Sequence, residues 1–154
     1  MTYPVRTQAR ALLIHEAQIA LVQIRRRGRE RWVLPGGGQD RGEALPETVR
    51  RECREELGID VNVGPLCIVR EFVPDNHDMS AMPFHVQCID FIFRCTPAGA
   101  TELHLGLNPD DEAIAAHWVP LAAALTLPLY PAALCVWVPQ VLHGTSVHYI
   151  GDAA

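Results

Sequence analysis

Short apolar runs separated by polar turns dominate the first third of the chain. Residues 9–14 form a short apolar stretch, and residues 19–24 are apolar with several β-branched side chains. The mostly polar four-residue turn 15–18 lies between them. Two such runs around a short polar turn predict a β-hairpin. A charged loop over 25–31 and a brief strand over 32–34 follow, and Pro35 with three glycines closes that strand.

A helix is predicted over residues 46–58. Pro46 lies in its first turn, where the missing N–H costs no hydrogen bond, and Gly58 suits a left-handed cap at its end. The apolar residues Leu45, Val49, Cys53 and Leu57 recur every fourth position. Side chains four residues apart share one helix face, so this stripe is expected to pack on the sheet.

The second half of the chain has less regular patterning. It predicts long strands over 61–73 and 84–95, a mostly irregular segment over 97–112, a short strand over 117–119, and a last helix over 131–142 that Pro139 kinks or shortens. Strands and helices mix without regular βαβ alternation. This order indicates an α+β fold or a mixed sheet between helices.

The composition narrows the possible chemistry. The 154 residues suit one domain spanning 1–154, with a sizeable core. All 13 basic residues are arginines, which excludes Schiff-base, pyridoxal phosphate and P-loop lysine chemistry. A net charge of -5 argues against membrane binding and against non-specific nucleic-acid binding, but it allows a small phosphorylated ligand in a local basic patch.

The five cysteines predict reduced thiols in a cytoplasmic protein. Their number is odd, they form no C-x-x-C pair, and they lie in apolar or patterned segments. The first residues do not resemble a signal peptide. No apolar run approaches the roughly 18 to 20 residues that a membrane-spanning helix needs.

Three glutamates lie on one side of the predicted helix. At about 100° per residue, Glu52, Glu55 and Glu56 fall within an arc of roughly 100°. Like charges at this spacing raise each other's pKa, and a hard divalent cation with oxygen ligands, such as Mg²⁺ or Mn²⁺, would relieve the repulsion. A solvated surface helix with Glu and Arg paired at i, i+4 is the alternative interpretation.

The spacing around these glutamates resembles the Nudix box. The 23 residues from Gly37 to Ile59 match G-x5-E-x7-R-E-U-x-E-E-x-G-U at every fixed position, except that Cys53 replaces a bulky aliphatic residue. Residues 32–38 and 117–120 are also similar to the family. The resemblance implies an α/β/α sandwich around a mixed sheet. It also implies Mg²⁺-dependent hydrolysis of a diphosphate linkage in a nucleoside diphosphate derivative.

The resemblance also assigns roles to individual residues. It implies metal ligands at Glu52, Glu55 and Glu56, a backbone carbonyl ligand at Gly37, and an internal ion pair between Arg51 and Glu43 that shapes the loop. Family members often use a further acid outside the box, and Glu112, beside Asp110 and Asp111, lies in the expected loop. An ordinary acidic loop is the alternative there. The general base stays open between Glu56 and Glu112.

Arginines just before the box are the first candidates for binding the substrate. Five lie within seven residues: Arg25, Arg26, Arg27, Arg29 and Arg31. One guanidinium group can bind two phosphate oxygens at once. The alternative interpretation of this cluster is a solubilising hairpin tip.

Further pocket residues are expected on the strands after the box. Arg70 and Glu71 are the main candidates, and Phe72, Phe84 and His85 are alternatives that also suit a core. Pro74 lies fifteen residues beyond the box, which is similar to ADP-ribose-cleaving members of the family. That similarity slightly favours ADP-ribose or a nucleotide sugar as the substrate.

Two other functions are compatible with the sequence. A non-catalytic Nudix domain could bind a nucleotide metabolite as a sensor, but such domains are expected to lack box glutamates, and all are present here. A structural module could use the apolar segment 125–142 as a partner surface. That surface is also compatible with a homodimer of an active enzyme.

Overall fold

Strands of a mixed sheet separate the helices of this protein. The computed structural model describes residues 4–78, 86–106 and 112–154. In these ranges the strands are β1 (Val5–His15), β2 (Gln18–Arg26), β3 (Arg29–Val33), β4 (Gly36–Gly38), β5 (Val61–Phe72), β6 (Gln87–Pro97), β7 (Ala113–Pro120), β8 (Leu129–Tyr130) and β9 (His148–Asp152). The helices are α1 (Leu45–Leu57), α2 (Leu121–Ala124), α3 (Leu134–Val141) and a 3-10 turn (Pro74–Asn76).

The sheet is built around β1. Its strands run in the order β8-β3-β2-β1-β6-β5-β9, with β4 paired to β1 and β7 paired to β2. The pairs β1–β6, β5–β9 and β3–β8 are parallel, and the others are antiparallel. The predicted hairpin is confirmed as β1 and β2. Its turn residues Glu16 and Ala17 both have positive φ, of 48° and 59°, as the tightest hairpin turns require.

Alternation along β1 sends side chains to both faces of the sheet. Leu12 packs in a core with α3, α2 and the C-terminal part of the chain. Its neighbours Ala11 and Leu13 pack on the opposite face in a second core with α1. Apolar layers on both faces, each covered by a helix, give the predicted α/β/α sandwich around a mixed sheet.

Helix α1 begins and ends one residue before the predicted bounds of 46 and 58, and Gly58 is its cap. Gly58 has φ of 70°, and its N–H donates to the Arg54 carbonyl at 3.1 Å, which closes the last turn. Glu47 accepts a hydrogen bond from the Ala44 backbone N–H at 2.7 Å at the first turn. Cys53 is fully buried in the core beneath the helix, and burial raises the pKa of its thiol well above the ordinary value. The thiol therefore serves as an apolar packing group where the family usually has an aliphatic side chain.

The structure corrects several predicted boundaries. Residues 25–31 are not a loop, because β2 continues to Arg26, β3 begins at Arg29, and the chain turns at residues 27–28. The strand predicted over 117–119 extends over Ala113–Pro120 because β2 pairs along its whole length. The last helix covers Leu134–Val141 and includes Pro139. Phe84, His85, Asp110 and Asp111 lie outside the described residues.

The apolar segment 125–142 contributes mainly to the protein's own core. Leu129, Leu134, Val138 and Val141 are at most 5% exposed, whereas Val136 is 59% exposed. The homodimer through this segment stays a prediction. In the described part of the chain, no helix has both the length and the apolar character needed to cross a bilayer.

Candidate active site

A cavity of about 640 Å³ opens beside the glycine strand β4 and the N-terminal half of β1. Carboxylates from α1 occupy one side of it, and arginines from β1, β2 and β5 occupy the others. The charged residues that line it are Arg6, Arg10, Arg26, Asp40, Arg51, Glu52, Glu56, Arg70 and Glu112. A volume of this size suits a small-molecule ligand.

Glu56 is fixed by the backbone of the glycine strand. The residue is 5% exposed, and its carboxylate accepts a hydrogen bond from the Gly36 N–H at 2.8 Å. Gly36 has φ of +150°, and a Cβ there would lie 2.4 Å from the Ala9 carbonyl oxygen. Only glycine fits this position, and it lets β4 approach β1 closely. The backbone N–H of Gly36 then fixes where the Glu56 carboxylate lies in the cavity.

Glu52 lies one helical turn before Glu56 and faces Gly37. A Cβ on Gly37 would lie 2.7 Å from Oε1 of Glu52, so the glycine leaves the space that this carboxylate occupies. Glu52 is 8% exposed and lines the cavity. Two buried carboxylates from one helix therefore lie against neighbouring residues of the glycine strand.

Glu55 has a different orientation from the other two glutamates. Its side chain is 31% exposed, and Oε2 accepts a hydrogen bond from Arg51 at 3.3 Å. The cavity lining includes Glu52 and Glu56 but not Glu55. Of the three carboxylates predicted to converge, two therefore line the cavity and Glu55 lies outside its lining.

Arg51 ties the helix to the loop before it. The guanidinium donates to Glu43 from Nε at 2.6 Å and from Nη2 at 3.0 Å, to Glu52 at 2.7 Å, and to the Gly38 carbonyl at 2.9 Å. Glu43 also accepts the hydroxyl of Thr48 at 2.8 Å. The internal Arg51–Glu43 pair that the family resemblance implied is present, and it fixes one oxygen of Glu52 as well.

We expect Glu43 to make the free energy of unfolding depend on pH in the acid range. Hydrogen bonds from Arg51 lower the pKa of Glu43 from 4.5 to about 2. A depressed carboxyl pKa stabilises the fold above pH 4.5, and the contribution is lost as the pH falls from about 4.5 towards 2. Urea unfolding at pH 7 and pH 3 should therefore show a smaller pH effect in Glu43→Gln than in the wild type. Glu16→Gln, with a side chain 80% exposed, should keep the wild-type pH effect; an unchanged pH effect in Glu43→Gln would contradict the assignment.

Glu112 lies in the cavity and is paired with an arginine. Its Oε2 accepts hydrogen bonds from Arg26, from Nε at 2.7 Å and Nη2 at 2.6 Å. The Glu112 backbone carbonyl accepts the Arg25 N–H at 3.0 Å, which aligns the start of β7 with β2. The structure thus places this acid on the cavity wall with Arg26 as its partner, and its role as a metal-site acid or base stays a prediction.

The arginine cluster before the box divides between the two faces of its hairpin. Arg26 lines the cavity, whereas the lining does not include Arg25, Arg27 or Arg31. Arg25 pairs with Glu30 at 3.0 Å on the exposed side, and Arg31 donates to the Glu30 carbonyl at 3.0 Å. Substrate binding by Arg25, Arg27 and Arg31 stays a prediction without a cavity contact to support it.

Two further arginines share one buried carboxylate in the cavity wall. Asp90 is 1% exposed. Its carboxylate accepts one hydrogen bond from Nη1 of Arg70 and another, at 3.3 Å, from Nε of Arg10. Arg10 also donates to the Leu34 carbonyl at 3.2 Å, immediately before the glycine strand. Burial lowers the pKa of Arg10, but the carboxylates of Asp90 and Glu56 outweigh it and raise the pKa overall.

Aromatic rings border this arginine pair. The Arg70 guanidinium lies 5.5 Å from the ring centre of Phe72 and 5.3 Å from that of Tyr130, and Nη2 donates to the Tyr130 hydroxyl at 3.3 Å. All three residues line the cavity. Glu71 lies between Arg70 and Phe72 on β5 and is not part of the lining; its Oε2 accepts the Tyr149 hydroxyl instead. Side chains alternate along a strand, which explains why Arg70 lines the cavity and the other predicted pocket residue, Glu71, does not.

The carboxylates of α1 have the chemistry of a site for a hard cation. As the side chains stand, no group of three His, Cys, Asp or Glu within the described ranges is close enough to hold an ion. Arg51 donates hydrogen bonds to both Glu52 and Glu55. Each carboxylate has about four lone-pair directions, so Glu52 can accept Arg51 and a cation together. Oxygen-only donors in a cavity favour Mg²⁺ or Mn²⁺, so the residues fit such an ion.

Sequence comparisons relate this chain to known proteins. A family model described as NUDIX domain matches residues 4–136. The chain is 34% identical over 110 residues to 8-oxo-dGDP phosphatase NUDT18 of Danio rerio, covering 68% of this chain and 30% of that protein. It is 30% identical over 109 residues to the human protein of the same name, covering 70% of this chain and 30% of that protein. The chain therefore spans about 30% of the length of these relatives.

A solved structure supports the same fold. The crystal structure of a MutT protein from Bacillus halodurans superposes with a TM-score of 0.71 at 28% identity, covering 94% of this chain and 86% of that chain. The similarity extends through the sheet and helices on which the cavity is built.

Proposed function

Because this chain belongs to the Nudix family of hydrolases, we propose that it hydrolyses a diphosphate linkage in a nucleoside diphosphate derivative with the help of Mg²⁺ or Mn²⁺. The observation that carries the proposal is the pair of buried carboxylates, Glu52 and Glu56, beside the glycine strand in a cavity whose other walls bear arginines. Separate acidic and basic walls suit a ligand made of a cation and phosphate groups.

Glu52 and Glu56 would hold the cation, with Glu55 and the Gly37 carbonyl as further ligands. When bound, the ion would neutralise phosphate oxygens and acidify the attacking water. The chain's own residues prepare this site. The Gly36 N–H orients Glu56 at 2.8 Å, and Arg51 holds Glu52 at 2.7 Å, so neither carboxylate has to be ordered when the ion arrives.

Glu56 and Glu112 are the two candidates for the general base. Glu112 is held towards the cavity by Arg26 at 2.6 Å and is not placed among the metal ligands. The Glu112→Gln variant distinguishes them. If Glu112 is the base, kcat falls about a hundredfold while the Mg²⁺ concentration for half-maximal rate is unchanged. A loss of only a few fold would leave Glu56 as the base and Glu112 as the partner of Arg26.

The substrate is proposed at the level of a class. The relatives in zebrafish and man are named for 8-oxo-dGDP, a nucleoside diphosphate, whereas Pro74 slightly favoured ADP-ribose or a nucleotide sugar. Phe72, Arg70 and Tyr130 form a partly aromatic section of the cavity wall. Such a wall suits a base or sugar ring, and both substrate types contain the diphosphate that the proposal requires.

A substrate panel tests this function. Purified protein is incubated with 8-oxo-dGDP, dGDP, ADP-ribose and a nucleotide sugar, each with Mg²⁺, with Mn²⁺ and with EDTA, and the products are separated by chromatography. Metal-dependent release of phosphate-bearing products from at least one substrate is expected. Tight binding of a nucleotide without any turnover would favour the sensor, and turnover that persists in EDTA would contradict the metal requirement.

A further inference from the structure

Among the described residues, Arg6 differs from the other arginines of the cavity in having no carboxylate partner. Arg10 and Arg70 share Asp90, Arg26 pairs with Glu112, and Arg51 pairs with Glu43. Arg6 also lines the cavity, but it forms no ion pair with any carboxylate in the ranges the structure describes. Of the five arginines that line the cavity, Arg6 is therefore the one whose charge no carboxylate of the described ranges neutralises.

The charge of Arg6 lies beside the glycine strand β4. A Cβ on Gly38 would lie 2.7 Å from Nη2 of Arg6, so the guanidinium occupies the space above this glycine. The preceding residue, Gly37, has the same relation to Glu52. Cβ directions alternate along a strand, so Arg6 and the buried Glu52 meet consecutive glycines of β4 from opposite faces, and both line the cavity.

Alternation along β1 also orders the cavity from its rim inwards. Arg6, Gln8 and Arg10 share one face of the strand and all line the cavity. Arg6 is exposed, whereas the Arg10 side chain is 22% exposed and lies by Asp90 and Arg70. The two arginines are four residues apart, which is roughly 13 Å along a strand. Arg6 therefore lies at the rim, and the Arg10–Asp90–Arg70 cluster with Tyr130 lies at the inner end.

We propose that Arg6 determines specificity by binding a free terminal phosphate of the substrate at the rim of the cavity. The ring systems of a nucleotide suit the inner end beside Tyr130, and the diphosphate would follow the glycine strand outwards. A terminal phosphate carries between about -1.5 and -2 charge at pH 7, whereas a phosphate capped by a sugar carries about -1. A guanidinium without a partner can also bond two oxygens of such a group.

This assignment rests on the proposed function and narrows its substrate class. Nucleoside diphosphates with a free terminal phosphate would be preferred to ADP-ribose and nucleotide sugars, in which that phosphate is esterified. The preference would come from β1, outside the segment of sequence that resembles the Nudix box.

Equilibrium binding separates the two ligand types. Calorimetry measures the affinity of the wild type, Arg6→Gln and Arg6→Lys for ADP, ADP-ribose and inorganic pyrophosphate, with Ca²⁺ as the oxygen-preferring cation and chromatography to check that the ligands stay intact. Arg6→Gln should weaken ADP binding about tenfold, or about 1.4 kcal/mol, and change ADP-ribose binding less than about twofold. Arg6→Lys should retain part of the ADP affinity because it keeps the charge. Arg54→Gln, an arginine whose side chain is 61% exposed and lies outside the lining, is the matched control and should change neither.

Each other result has a definite meaning. Equal weakening for ADP and ADP-ribose would overturn the terminal-phosphate assignment, and no weakening for either would overturn any ligand role of Arg6. If pyrophosphate and ADP bind in an Arg6-dependent way but no substrate of the panel is hydrolysed, the proposed function fails while the Arg6 site stands. If the wild type binds none of the three ligands, both proposals fail.

Discussion

Replacement of Glu56 by glutamine is expected to lower kcat/KM for Mg²⁺-dependent hydrolysis about a thousandfold and to leave the fold intact. Glutamine keeps an oxygen that can accept the Gly36 N–H, now bonded at 2.8 Å, so the contact between α1 and β4 persists. It removes the negative charge that a cation would need. Losing one charged ligand of a catalytic metal costs several kcal/mol of transition-state stabilisation, and about 4 kcal/mol corresponds to the thousandfold loss.

The measurement is the initial rate on the substrate that the panel identifies, over a range of Mg²⁺ concentrations. Glu47→Gln is the matched control, since Glu47 lies on the same helix, caps Ala44 at 2.7 Å and is not part of the cavity lining. It should keep kcat/KM within about twofold, and circular dichroism should give the same helix content for both variants. Wild-type turnover in Glu56→Gln would show that the metal ligands are assigned wrongly.

Replacement of Asp90 by asparagine is expected to destabilise the protein by about 3 to 5 kcal/mol, the cost of breaking a buried ion pair by removing one partner. Asp90 is 1% exposed and bonds both Arg10 and Arg70. Asparagine fits the space but leaves two guanidinium groups without their shared counter-charge. Because Arg70 is 4% exposed, water cannot readily replace that charge.

Asp60→Asn provides the comparison, because Asp60 also pairs with an arginine, Arg54, but both side chains are more than 60% exposed. Exposed pairs contribute about 0 to 1 kcal/mol. Urea unfolding should shift the midpoint strongly for Asp90→Asn and slightly for Asp60→Asn, with the same dependence on urea concentration. Similar shifts in the two variants would mean that the Asp90 cluster is hydrated or rearranges at little cost.

The sequence predicted those parts of the molecule in which local rules and the fold agree. The bounds of α1 were close because Pro46 and Gly58 act within one turn of the helix ends. The Arg51–Glu43 pair followed from the family resemblance and is present at 2.6 Å. The α/β/α arrangement followed from the family resemblance, and the structure has an apolar core on each face of the sheet.

The parts that sequence reasoning missed depend on partners far along the chain. Arg10 and Asp90 are 80 residues apart and meet because β1 and β6 are parallel neighbours. The alternation of Arg6, Gln8 and Arg10 with smaller residues is a signal that could have indicated one polar face of β1, but it does not reveal which carboxylate lies opposite. Residues 25–31 were predicted as a loop because their charge resembles that of a turn, whereas pairing with β3 and β7 extends the strand.

The central place of β1 has a consequence for how the cavity responds to thermal fluctuations. This strand is hydrogen-bonded to β2, β4 and β6, and its core residues Ala9, Ala11, Leu12 and Leu13 are fully buried. Amide hydrogens in such a strand exchange with solvent mainly when the whole domain unfolds. The backbone that carries Arg10 should therefore keep its place through local openings that fray the helix termini or the sheet edges. A ligand would therefore contact a strand that is already ordered, and little conformational entropy of its backbone would be lost on binding.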